Sequence, residues 1–213
     1  DWDDEDDDWD DDEDYDDAER GANVDGTRLG FGDYMAAVGL VPPEVADRPG
    51  ARSLRRLLVV VGAGPTGHGE VFAYATPVTD ALAWLLERTA GRPYAELLRD
   101  GLWAHVGAEE GASLLVDPEG TPLAGGGLQM TTRDLARVGQ LLVDATGEGA
   151  ASAVPAPVVE AIRAGGDRAA FERSHYAHLT GYTYLHQWWL PPGPSRPMSA
   201  WGIHGQVLWV DPD

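Results

Sequence analysis

The sequence predicts an α+β fold, and three observations carry that expectation. Helix-spaced apolar residues fill the middle of the chain, and short strand-like runs gather at its end. No regular strand–helix–strand alternation joins the two. At 213 residues there is room for one good-sized domain or two small ones, and 43% hydrophobic residues is enough to fill a core.

Taken in order, Leu29–Leu40 reads as a short helix that Val41-Pro42-Pro43 breaks. Leu57–Val61 is an apolar, β-branched run and predicts a buried strand. Thr76-Pro77 offers an N-cap and a first-turn proline. Val78, Leu82, Leu85 and Leu86 follow at helical spacing, with Arg88 in the last turn and Gly91 as the stop. Pro93 starts a second helix through Leu97, Leu98 and Trp103. Thr131-Thr132-Arg133-Asp134 resembles a capping box, with Leu135, Val138, Leu141 and Leu142 as the buried stripe behind it. Val158–Ala164 is a shorter helix ending at Gly165-Gly166. Gln187–Leu190 and Gln206–Val210 read as strands, separated by the proline-rich loop Pro191–Pro197.

The formal charge of -21 is unevenly spread. Fourteen of the first 17 residues are acidic and none is basic, which supplies -14; the remaining 22 acidic and 15 basic residues leave -7. Trp2–Asp8 and Trp9–Tyr15 are near-copies of one seven-residue unit. Such dense like charge predicts a solvated, disordered segment over 1–17. The run has no glycine for the sixth position of an EF-hand loop, so calcium is not the expected reading. Nothing provides the clustered cations that a phosphate backbone requires, so nucleic acid is not an expected partner.

Two absences narrow the chemistry. There is no cysteine, which excludes thiol catalysis and Cys-ligated zinc. There is no lysine either, since all 15 basic residues are arginine, so no lysine base or Schiff base can come from these residues. No apolar run approaches a membrane span and no signal peptide is evident, so the expectation is a cytoplasmic protein without a membrane partner.

Leu57–Val61 followed by Gly62-Ala63-Gly64-Pro65-Thr66-Gly67 has the form of a dinucleotide-binding opening, a strand and then G-x-G-x-x-G. Its required sequel is a helix starting in the glycine loop and a second strand ending in an acidic residue. Here the clear helix begins only at Pro77, and Glu87 lies inside it. An FAD- or NAD-binding enzyme using Gly62–Gly67 is therefore the alternative, not the first expectation. No G-x-S-x-G is present. Only Ser53-Leu54-Arg55-Arg56 approaches Ser-x-x-Lys, and an arginine there stays protonated, so Ser53 is expected to be a polar surface residue.

Three segments carry more. They are Phe72–Pro93 with Tyr74 and Thr76 near its start, Gly125–Gly139, and Gln187-Trp188-Trp189 followed by Gly202–Pro212. In this order they resemble the class C β-lactamase-related serine hydrolases, nearest the 6-aminohexanoate-dimer (nylon-oligomer) hydrolases and their carboxylesterase-like relatives. The resemblance runs from about residue 15 to the C-terminus and is weakest between 20 and 65. It implies one partial β-lactamase/transpeptidase-like domain over 18–213, comprising a helical region and part of an antiparallel sheet. It also implies an amide or ester substrate, cleaved by a serine through an acyl-enzyme without a cofactor or metal.

Residue by residue, the resemblance makes Tyr74 the proton-relay tyrosine, with Thr76 at the family's asparagine. The family's K-T-G falls on Ala200-Trp201-Gly202: Gly202 is kept and the lysine is lost, which argues against carboxylate-bearing β-lactam substrates. Ile203 supplies an oxyanion-hole amide. Tyr15 and Trp189 match substrate-contacting residues, Trp189 a mobile one, and His204 lines the pocket or orients its strand. Without the flanking matches, Tyr74 and Trp189 are ordinary packed aromatics. His175, His178 and His186 lack a clearly placed carboxylate and are expected at the surface rather than on a metal. The family's nucleophilic serine and its lysine have no counterpart in this chain. The expectation is a fragment, inactive by itself, of a serine hydrolase; a non-catalytic binding protein on the same scaffold is a further alternative.

Overall fold

The computed structural model describes residues 30–45, 53–61, 66–145 and 153–211. The acidic run with Tyr15, and positions 62–65 of the glycine-rich loop, lie outside the described residues. The described residues fall into two compact units, one comprising those up to residue 61 together with 117–121 and the other those in 66–116 and 122–211.

In the first unit, helix α1 (Phe31–Ala37) buries Tyr34 and Ala37 three residues apart, and Val38 behind them. It ends where Gly39 turns to φ +78°, against the ring of Pro118; a Cβ there would lie 3.2 Å from Pro118 Cγ. A 3-10 turn follows over Pro43–Val45, at the expected proline break.

The run expected as a buried strand, Leu57–Val61, is instead the second half of helix α2 (Leu54–Val60). A short apolar run does not by itself separate strand from helix. Here the choice is made by burial of Leu54 and Leu57, one helical turn apart, while Arg55, Arg56, Val59 and Val60 face outward. The strand on which a dinucleotide site would depend is therefore absent. A turn over residues 68–70 follows, and the next helix starts only at Thr76.

Ser53 is also not the surface residue expected. It is fully buried at the N-cap of α2, where its side chain makes no capping bond. Its Oγ has no hydrogen-bond partner among the described residues. The helix is capped from a distance: Asp117 accepts from the Leu54 amide at 2.8 Å, and also from the Glu119 and Thr121 amides at 2.9 and 2.7 Å.

In the second unit, helix α3 (Thr76–Ala90) starts one residue earlier than the capping pattern predicts. Ala75 is the N-cap, Thr76 is the first helical residue, and Pro77 takes the first turn, where a missing N–H costs nothing. Gly91 closes the helix in the left-handed conformation with its amide on Glu87 O at 2.9 Å. Val78, Leu82, Leu85 and Leu86 are exposed, and the buried residues are Asp80 and Ala83. Helical spacing thus located the helix correctly, but its wide apolar stripe is not covered by this unit. Asp80 ties α3 to the Gly125–Gly127 loop by accepting from the Gly125 amide at 3.0 Å. A side chain at Gly125 would collide with that of Thr76.

Helix α4 (Tyr94–Leu98) widens into a π-helical turn (Arg99–Trp103) and ends in α5 (Ala104–Val106), filling the expected second helix. Strands β1 (Ser113–Leu114) and β2 (Leu128–Gln129) form a small antiparallel pair. Helix α6 (Thr132–Asp144) begins at the expected cap, with the Asp134 amide donating to Thr131 Oγ1 at 3.1 Å. Helices α7 (Ala156–Ala164) and α8 (Arg168–Glu172) and a 3-10 turn (His175–His178) lead into the main sheet.

That sheet is antiparallel in the order β3 (Thr183–Leu185), β4 (Trp188–Leu190), β5 (Met198–Trp201), β6 (Val207–Val210). The expected strands appear as β4 and β6, whereas β3 and β5 are additional. Leu142 and Ala145 at the end of α6, and Val159 and Ile162 of α7, pack on Leu190, Met198 and Val210. Fully burying each of the larger side chains stabilises by roughly 1.5–3 kcal/mol. Helices and antiparallel strands together make this an α+β fold. No helix among the described residues is long and apolar enough to cross a membrane.

Candidate functional site

Tyr74 lies in the extended segment that leads into α3 and is 36% exposed. It stands at the rim of an aromatic cluster drawn from four places in the sequence. Phe72 precedes it, Phe171 comes from α8, Tyr176 from the 3-10 turn, and Tyr184 and Trp189 from β3 and β4. Phe72 stacks on Phe171 with ring centroids 5.2 Å apart, and lies 4.9 Å from Tyr184. Tyr74 stacks on Trp189 at 5.6 Å and meets Tyr184 edge-on at 5.9 Å. Tyr176 lies 4.9 Å from Trp189. Edge-on and offset contacts of this kind stabilise beyond the area they bury.

The hairpin between β3 and β4 shapes this cluster. Its two loop residues, His186 and Gln187, have φ of 50° and 71°, conformations that asparagine and glycine adopt more readily. Gln187 compensates by accepting from the Tyr184 hydroxyl at 3.0 Å. Burial, followed by the nearby phenols of Tyr74 and Tyr176, pushes the Tyr184 hydroxyl well above the usual tyrosine range, so it stays protonated.

Trp189 is only 5% exposed. It packs nearly parallel to Trp201 of β5, with centroids 4.6 Å apart and planes 8° apart, as well as against Tyr74. These contacts enclose the side chain that the sequence likeness matches to a substrate-contacting residue. Ser199, fully buried beside the stacked pair, donates to Trp189 O at 3.2 Å and accepts from Trp201 Nε1 at 3.0 Å.

After Trp201 the chain makes a tight turn before β6. The Gly202 amide donates to Gln206 O at 2.7 Å, and the Gly205 amide to Gly202 O at 3.0 Å. The His204 amide donates to Gln206 Oε1 at 3.2 Å. A Cβ at Gly202 would run into the Gln206 carboxamide, which explains the glycine without any need for unusual backbone angles. Ile203 is exposed, and its amide donates no hydrogen bond among the described residues. That leaves a backbone donor open to a ligand oxygen. His204 is exposed and engages Gln206 through its amide rather than its ring.

The structure thus joins Tyr74, Trp189 and the Gly202–Gln206 turn through one run of stacked rings; Tyr15 lies outside the described residues. Sequence reasoning missed Phe72, Phe171, Tyr176, Tyr184 and Ser199. The alternation of Tyr182 and Tyr184 was a usable signal, but the approach of the 3-10 turn to β4 was not. Among the described residues no three His, Asp or Glu side chains are placed to hold a metal ion. His175 and His178 flank Tyr176 in ring contacts.

No family model matches the chain. Over 150 residues, 70% of its length, it is 39% identical to a 6-aminohexanoate-dimer hydrolase of Paenarthrobacter ureafaciens, of which that span is 38%. A solved Bacillus anthracis structure, provisionally named a 6-aminohexanoate-dimer hydrolase, matches with a TM-score of 0.69 and 25% identity. That match covers 91% of this chain and 48% of the other. The chain spans less than half the length of either protein. Over the part that it spans, it is similar in sequence and in fold to the 6-aminohexanoate-dimer hydrolases.

Proposed function

We propose that these residues form the proton-relay and oxyanion side of a serine hydrolase that cleaves an amide or ester bond through an acyl-enzyme. The observation that carries this reading is the linkage of a half-exposed phenol, Tyr74, to an open backbone donor, the Ile203 amide, through the Trp189–Trp201 stack. In the reaction, a serine oxygen adds to the substrate carbonyl, and the carbonyl oxygen becomes an oxyanion held by the Ile203 N–H. Tyr74 relays the proton given up by the serine hydroxyl to the leaving nitrogen or oxygen, the C–N or C–O bond breaks, and water then hydrolyses the acyl-enzyme, releasing the acid and restoring the serine hydroxyl. Amide substrates are favoured by the names of the similar proteins.

With no lysine, these 213 residues hold no Ser–Lys pair to activate the nucleophile. The 213-residue chain alone should therefore leave both p-nitrophenyl acetate and the linear 6-aminohexanoate dimer intact. Grafted in place of the matching span of the Paenarthrobacter enzyme, residues 66–213 should support turnover, and Tyr74→Phe should lower kcat by about 10²–10⁴ with little change in KM. Undiminished kcat in that variant, or hydrolysis by the isolated chain, would refute the assignment.

A further inference from the structure

We infer that Trp189, Ser199 and Trp201 are a positioning device that sets the place of Tyr74 relative to the Ile203 amide; this rests on the roles proposed for those two groups. The pairing of β4 with β5 puts Ser199 directly opposite Trp189. Directly paired residues share a sheet face, and Trp201, two residues beyond Ser199, shares it as well. A diagonal pair across two strands is separated by about 7–8 Å at the backbone, which only long side chains span. Ser199, small and fully buried, leaves the two indoles room to close over it to 4.6 Å.

Stacking alone leaves a ring free to slide and rotate in its plane. Ser199 removes that freedom. One oxygen accepts from the Trp201 indole N–H and donates to the Trp189 carbonyl, fixing the orientation of the second ring against the strand that carries the first. Trp189 in turn stacks on Tyr74, 25° from parallel. At the other end, Trp201 is bonded directly to Gly202, the first residue of the turn that presents the Ile203 amide. A phenol on a loop and an amide on a turn would each drift if supported only locally. A continuous run of rings pinned by one hydroxyl places them on a common support, as a reaction sensitive to displacements of about 1 Å demands.

The test reads geometry without turnover, in the full 213-residue chain labelled at Trp, Tyr and backbone amides. Ser199→Ala should speed exchange of the Trp201 indole N–H at least tenfold and halve the near-UV circular-dichroism signal of the coupled indoles. It should also shift the Tyr74 ring and Ile203 amide resonances, while the Leu142 and Val159 amides stay in place. If Ser199→Ala fails to fold, Trp201→Phe, which keeps a smaller stacked ring and loses the donor, should shift the same two resonances. Tyr74 and Ile203 signals that ignore the folded variant would overturn the inference. The acyl-enzyme reading fails separately, on the kinetics of Tyr74→Phe.

Discussion

Gly202→Ala tests the turn that presents the Ile203 amide, and the structure sets its expected size. The Gly202 backbone is not left-handed, so alanine is opposed only by lack of space. Its Cβ would meet the Gln206 carboxamide oxygen and lie 3.1 Å from Gln206 Cβ. If the Gln206 side chain swings away, its bond from the His204 amide is lost, worth about 0.5–1.5 kcal/mol. The remaining crowding against Gln206 Cβ adds about 1 kcal/mol, the low end for overpacking because the turn is exposed. The expected loss is therefore about 2 kcal/mol, read as a lower urea midpoint at unchanged slope. Gln206→Ala alone should cost about 1 kcal/mol, since it gives up the same bond and leaves the His204 amide to water. In the double variant the carboxamide is gone before the new methyl arrives. The two losses should then fall short of their sum by about 1 kcal/mol. Additive losses, or a neutral Gly202→Ala, would refute this explanation of why the turn begins with glycine.

Two further outcomes follow from buried polar groups. Ser53→Ala should be neutral or stabilising by up to about 1 kcal/mol, because it removes a buried hydroxyl that caps nothing, whereas Asp117→Ala should cost about 2 kcal/mol by orphaning the amides of Leu54, Glu119 and Thr121; urea midpoints moving in the same direction would contradict this. Asp134 is held below the usual carboxylate range, first by the Glu109 amide against the opposing effect of burial, and then by Thr131, the Glu110 amide and Arg137. A depressed folded-state pKa stabilises above the unfolded value, near pH 4, and that contribution is lost as pH falls through the lower folded value. Tm should therefore fall more steeply below pH 4 in the wild type than in Asp134→Asn, and parallel acid limbs would count against it.

What could be read from the chain was whatever depends on neighbours close in sequence. The caps and stops at Thr131, Gly91 and Gly165, and the α+β order of helices before strands, follow from local backbone chemistry and appear where expected. The likeness to the 6-aminohexanoate-dimer hydrolases was legible too, because motif order survives without knowledge of contacts. The face a helix buries was not legible. Leu82 and Leu85 lie exposed while Asp80 is inside, because the Gly125 amide, 45 residues away, satisfies that carboxylate. Leu57–Val61 had the composition of a strand, yet Leu54 and Leu57 found a core one helical turn apart and Asp117 capped their helix from 63 residues on. Ser199 carried no signal at all, since one small residue beside two tryptophans acquires its role only when β4 and β5 pair. Local propensities are worth tenths of a kcal/mol per residue, whereas satisfying a buried polar group or filling a core position is worth about 1–3 kcal/mol. Where the two conflict, partners distant in sequence decide.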